Sequence, residues 1–436
     1  MAAKLGDQVM LKAGVSKQIV TPPTWVPYLT SSGNGTCAPF EGVHDDLYAR
    51  ALVLDDGDRA ICVLAVDAIG YENSILGEGR DFTRELRERV IRETGMEDLM
   101  LCATHSHSTP ETIGLTPFRE LPGISEWLEG HLEVLVKVAV DAFSGRTSAR
   151  AFSRICRVEG VARNRRILLK DGTLDRRGEP PLTGKANGAW PVDEDLFVLY
   201  LERDSGEPLG VLLNYTAHPV VAMLLPPVSA DYPGVTASRV ERALPGAICL
   251  FTNGACGNVN SLHVSTNFND VEKLGGILAD AALREISDLK PEEACHRYNV
   301  SSSRKSVAFS SRPCPGLAEA REAVREADTP VNQRLLRLAK KLSEGSLSGE
   351  IQLMRLGDLC WMALPGEVFV ETGVRLKKSG LDFVAGNANG WLGYFPTLNA
   401  YNEGGYEVTA GVWSRVAPGS AEQLEEMCRQ LVFSDV

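Results

Sequence analysis

Residues 103–110 read Ala-Thr-His-Ser-His-Ser-Thr-Pro and follow an apolar run, Asp98 to Cys102, that predicts a buried strand. Side chains alternate along a strand, so His105 and His107 can share one face at its end. Imidazole is the commonest neutral metal ligand and a ready proton shuttle, so the pair suits a metal site or acid–base chemistry. It equally suits two histidines tied up by hydroxyls at a turn. A second apolar run, Val211 to Leu213, leads through Asn214-Tyr215-Thr216-Ala217 to His218, where Pro219 stops further strand pairing. Two separate strands each deliver an imidazole to a strand end.

Three further stretches carry side chains with chemistry. Asp67 follows the apolar run Arg59 to Ala65, where a carboxylate can ligate, support a ligand or simply cap a turn. Ser229-Ala230-Asp231-Tyr232-Pro233-Gly234 precedes a predicted helix, and Asp231 suits its N-terminal cap. Thr252-Asn253-Gly254-Ala255-Cys256-Gly257-Asn258-Val259-Asn260-Ser261 is rich in small residues. Backbone N–H groups of such a loop can approach an anion or a developing oxyanion, although most Gly/Asn loops are plain turns. Cys256 lacks the local signature of a nucleophile, and His263 is near enough in sequence to reach the same cleft.

Positioning these residues requires alternating strands and helices. Tyr48–Leu54 and Arg59–Ala65 predict a hairpin about Asp55-Asp56-Gly57-Asp58. Strands are expected over 149–161, 195–202, 247–251 and 298–309, and helices over 83–94, 124–144, 235–243, 271–286 and 368–378. A charged helical stretch covers 317–342, and a second hairpin, 351–356 with 359–364, turns on Gly357-Asp358. The Gly- and Pro-rich stretch 170–191 is long enough for a lid or substrate loop. Gly386 to Thr397, with Trp391, Tyr394 and Phe395 interleaved, reads as a loop lining a pocket. The expected fold class is α/β, a mixed central sheet flanked by helices with the site at strand ends. One catalytic domain is expected over residues 10–436, its site completed by the segment from about 345.

The formal net charge of −12 argues against a nucleic-acid partner, because phosphate binding needs a basic surface. The ten Cys are scattered with no CxxC pair, so a reducing, cytoplasmic setting is expected. No run approaches the ~20 apolar residues of a membrane span, and residues 1–17 carry no continuous apolar signal segment. The expected partner is a small-molecule substrate, with homo-oligomer formation left open.

Taken in order, THSHS, RNR (Arg163 to Arg165), TAHP, SADYPG, TNGACGNVN, LPGE and GYFPT resemble the catalytic domain of the neutral/alkaline, non-lysosomal ceramidase family. Thr21-Pro22-Pro23 and His44-Asp45-Asp46-Leu47-Tyr48-Ala49-Arg50-Ala51 agree, so the resemblance spans roughly residues 10 to 400. It implies a zinc-dependent amidase, with one Zn2+ per chain held by His105, His218, Glu367 and Tyr394. It further implies that His107 shuttles protons and that Arg165 faces the substrate or its product carboxylate. Asn258 and Asn260 fall in the catalytic loop, and Asp67, Asp231, Tyr232 and Gly257 are expected toward the substrate.

The chain departs from the family where a nucleophilic Ser stands in a Gly-Asp-Val-Ser-Pro stretch. Here Gly257-Asn258-Val259-Asn260-Ser261 puts Asn260 in the nucleophile's place, Asn258 in the acid's, and Ser261 one residue late. Attack by metal-activated water is expected instead. A secretion signal and the family's second, immunoglobulin-like domain have no counterpart, which points to a bacterial-type member acting on a small, soluble N-acyl amide. An ester or lactone hydrolase of the same fold, and a catalytically degenerate metal- or ligand-binding protein, remain alternatives.

Overall fold

The computed structural model describes residues 10–31, 36–170, 174–175, 191–343 and 347–434, so most of the expected lid over 170–191 lies outside the described residues. Eight strands form the main sheet: β1 (Lys12–Ile19), β2 (Tyr48–Asp55), β3 (Ala60–Val66), β4 (Asp98–Ala103), β5 (Thr147–Arg157), β6 (Asp195–Arg203), β7 (Pro208–Tyr215) and β8 (Ile248–Asn253). Their order is β8-β7-β6-β5-β1-β2-β3-β4. The sheet is mixed: β3 with β4 and β7 with β8 are parallel, and the other neighbours are antiparallel. Each half repeats one plan, a hairpin (β2–β3 or β6–β7) followed by a helical crossover to a parallel strand, as parallel pairing requires. The crossovers contain α1 (Phe82–Thr94) and α3 (Asp231–Ala243); α2 (Ile124–Ser144) and α4 (Phe268–Ser287) follow β4 and β8.

Period-two alternation decides the layers. In β2, Ala49, Ala51 and Val53 share a core with α1 and α2, while Leu52 and Leu54 point to the opposite face. In β4, Leu99 and Leu101 face the helices and Met100 and Cys102 face away. Both faces are apolar, which is why these strands read as continuous apolar runs and why both faces must be covered. Helices α1 to α4 cover one of them. A four-stranded sheet covers the other: β9 (Val300–Ala308), β10 (Ser348–Leu356), β11 (Leu359–Ala363) and β12 (Phe383–Ala385), contributing Met354, Trp361 and Phe383 to the shared core.

The charged stretch 317–342 forms two helices, α5 (Leu317–Glu326) and α6 (Pro330–Ser343). Pro330 explains the break, because proline suits a first helical turn and cannot continue a preceding one. The outer face of the second sheet packs on α7 (Val370–Lys377) and the C-terminal helix Ser420–Ser434 through Leu376, Leu424 and Cys428. No helix among the described residues is long and apolar enough to cross a membrane.

Candidate metal centre

β4 and β8 are opposite edges of the main sheet, yet their ends meet. The Asn253 carboxamide at the end of β8 donates to the Thr104 carbonyl (3.1 Å) and to the Ala217 carbonyl (2.9 Å). These are the residues immediately before His105 and His218, so one side chain fixes both imidazole-bearing strand ends. His105 then turns with φ 70°, a left-handed conformation that a β-substituted residue rarely adopts. Its backbone N–H donates to Ala68 (2.8 Å) and its Nδ1 to the Ile69 carbonyl (2.5 Å). The Nδ1 of His218 donates to the Cys256 carbonyl at 2.7 Å.

A carbonyl only accepts, so both Nδ1 atoms carry protons and each ring turns its Nε2 inward. Both Nε2 atoms face the same carboxylate oxygen: Glu367 Oε2 lies 3.4 Å from His105 Nε2 and 3.0 Å from His218 Nε2. His107 joins them, and the ligating atoms of the three imidazoles lie within 4.8 Å of one another. His105 and His218 are fully buried and His107 is half-buried, with an Nε2 that lacks a hydrogen-bond partner among the described residues.

Glu367 sits on the two-residue strand Glu367–Val368, parallel to Tyr394–Phe395, with Glu367 and Tyr394 in register. The Tyr394 hydroxyl lies 3.2 Å from Arg165 Nη2 and 3.3 Å from the Tyr406 hydroxyl. Arg165 also donates to Asn260 Oδ1 (2.8 Å), the Gly257 carbonyl (2.6 Å) and Glu407 Oε1 (3.1 Å). The buried Glu407 is shared with Arg166 at 2.9 Å.

Burial, helped by the Arg165 charge, pushes the His218 imidazole down to about 4. Burial and the neighbouring imidazoles push His107 well below its ordinary value. Burial also opposes ionisation of Glu367, but His105 and His218 outweigh it and hold the carboxyl well below the usual range. Burial, then the Glu367 charge, pushes the Tyr394 phenol well above its ordinary value. Two buried imidazole nitrogens therefore converge on one carboxylate oxygen at 3.4 and 3.0 Å, a grouping of the residue types that ligate a divalent cation. The donor set, nitrogen and carboxylate oxygen, fits a divalent ion of the zinc type.

The other expected site residues have their polar atoms engaged by the fold. Asp67 pairs with Arg50 (2.9 Å) and accepts from the Tyr48 N–H. Asp231, itself at φ 56°, accepts from the N–H groups of Ala222 and Tyr232, and the Tyr232 hydroxyl donates to the Ala217 carbonyl. Both thereby brace the loop around His218. The Asn258 carboxamide accepts from the Val370 N–H and donates to Glu371, holding the start of α7. It borders a cavity of about 610 Å3 that none of the three imidazoles lines. Burial pushes the Cys256 thiol up, which keeps it inert. His263 lies 3.9 Å from Asp270. Asn253, Trp391, Tyr406 and Glu407 were not singled out by sequence. Asn253 and Trp391 stood inside motif loops, whereas Tyr406 and Glu407 fell in no motif.

No protein-family model and no curated protein matches this chain. Solved structures do. The crystal structure of neutral ceramidase from Pseudomonas aeruginosa matches with a TM-score of 0.71 at 18% identity, over 97% of this chain and 74% of that chain. A structure described as ceramidase complexed with C2 matches with a TM-score of 0.72 at 16% identity over the same shares. The chain has the neutral ceramidase fold, with a three-histidine cluster that could hold a metal ion.

Proposed function

We propose that this chain is a zinc-dependent hydrolase that cleaves the C–N bond of a small N-acyl amide. The observation that carries the reading is the pair of buried imidazole Nε2 atoms aimed at one oxygen of Glu367, 3.4 and 3.0 Å away. His105, His218 and Glu367 are the residues that would hold the ion, with Tyr394 next to Glu367 in register. A bound zinc ion supplies carbonyl polarisation and lowers the pKa of water.

The rest of the chemistry falls to the chain's own side chains. His107, kept neutral, takes a proton at Nε2 from the attacking water and returns it to the departing amine. Arg165 keeps its guanidinium among Tyr394, Asn260 and Gly257, where a carbonyl or carboxylate oxygen can be paired. Asn260 has no hydroxyl to act as a nucleophile, which supports attack by water. The segment after residue 345 supplies Glu367 and Tyr394, so in this reading residues 10–436 work as one catalytic unit. The ceramidase-named structures of the same fold add support for an amide bond as the target.

The experiment is metal analysis of the purified protein by mass spectrometry, beside His218→Ala and Glu367→Ala, followed by a panel of N-acyl amides and matched esters. One zinc per chain, lost in both variants, with faster turnover of amides is the expected result. A chain that takes up no zinc, or a His218→Ala variant that keeps a full equivalent, overturns the assignment.

A further inference from the structure

Glu367 presents only Oε2 to His105 and His218, and its other oxygen is held from elsewhere in the fold. We infer that Trp391 is a positioning residue whose indole N–H fixes one oxygen of Glu367 and turns the other toward His105 and His218. This rests on the metal-centre reading above. Trp391 Nε1 donates to Glu367 Oε1 at 3.1 Å, leaving Oε2 to face both imidazoles.

The indole is itself held rigidly. Its loop is stitched to the segment that carries Glu367: the Ala388 N–H donates to Leu364 (3.0 Å), the Leu392 N–H to Pro365 (3.0 Å), and the Glu367 N–H to Gly393 (2.9 Å). The Arg415 guanidinium lies 5.1 Å from the indole centroid. Arg415 is locked in turn by Glu72 (2.5 Å) and the Val412 carbonyl (2.6 Å), and Lys341 holds the other oxygen of Glu72 at 2.6 Å. A fully buried indole N–H needs an acceptor, and here the acceptor is the carboxylate that two imidazoles face. A hydrogen bond of this kind orients a ligand before the ion arrives and raises its affinity.

The test uses the full chain and reads zinc affinity by chelator competition, together with the visible spectrum of the cobalt(II)-loaded protein. Trp391→Phe should weaken zinc binding about ten- to hundredfold and alter the cobalt spectrum. The sulfur isostere β-(3-benzothienyl)alanine at position 391 keeps the ring volume and removes only the donor. It should act in the same direction, and it decides the matter if the Phe variant does not fold. Wild-type affinity and an unchanged spectrum in these variants overturn this inference alone. A wild-type protein that binds neither ion overturns the metal-centre reading, and this inference with it.

Discussion

Gly257 packs its bare Cα against the backbone of Glu367. A Cβ added there would collide with the Glu367 carbonyl oxygen and lie 2.9 Å from the carbonyl carbons of Glu367 and Val368. The Gly257 N–H also donates to the Val368 carbonyl at 2.8 Å, so the loop after β8 and the strand carrying Glu367 are fixed to each other. Both neighbours are backbone and cannot rotate away. Gly257→Ala is therefore expected to cost about 1–3 kcal/mol in urea unfolding and to weaken zinc binding by displacing Glu367. Unchanged stability with wild-type zinc affinity would show that the two segments are free to separate.

Arg165 donates to Asn260, Gly257, Tyr394 and Glu407 from a buried position. Arg165→Met leaves these acceptors without their cation and should lower stability by about 3 kcal/mol. Asn260→Ala removes a single partner. It should keep the metal and lose most turnover, a combination that metal analysis and an amide assay separate from a folding defect.

Asn258 is expected to matter for the helix it holds rather than for the ion. Its Oδ1 accepts from Val370 N–H at 2.8 Å, one of the unsatisfied donors at the start of α7. Asn258→Ala should cost about 1–2 kcal/mol, as loss of a cap does, and retain a full equivalent of zinc. Loss of zinc at unchanged thermal stability would argue the reverse.

His131 gives the stability a pH dependence of its own. Its Nε2 lies 2.7 Å from the Tyr71 hydroxyl, its ring stacks on Trp127, and burial pushes it down to about 4. In the unfolded chain it titrates near 6.5, so between about 6.5 and 4 the unfolded state binds the extra proton. This contribution is present above about 6.5 and is lost as pH falls toward 4, on the order of 1–3 kcal/mol. His131→Gln should flatten that limb of a stability-versus-pH curve. A slope unchanged by the substitution would mean that the ring is protonated in the folded protein.

The sequence by itself determined the elements and the imidazoles. The apolar run Asp98 to Cys102 has both faces buried, so periodicity marked β4, and the His-x-His after it marked a strand end. The hairpin over Tyr48 to Val66 and the helix Ile124–Ser144 were legible for the same reason, because local patterning at period two or 3.6 writes such elements into the chain. The four proposed ligands came from motif order, and their residue types fit a metal centre.

Only the tertiary structure decided how these pieces meet. Asn253 reaches from one edge of the main sheet to the other, and no local pattern encodes that closure. The second face of the sheet packs against β9 to β12 rather than helices, a choice made between segments far apart in the chain, as where Phe197 of β6 meets Phe383 of β12. For Asp67, Asp231 and Asn258 the sequence left the partners open, because a polar side chain at a strand or helix end reads the same whether it faces a ligand or a backbone N–H. In the fold, their acceptors pair with Arg50, Tyr48, Ala222, Tyr232 and Val370. The pairing of Glu407 with Arg165 and of the Trp391 indole with Glu367 was silent in the sequence, because each is set by tertiary contact. A hydrogen bond between distant residues leaves no period in the sequence.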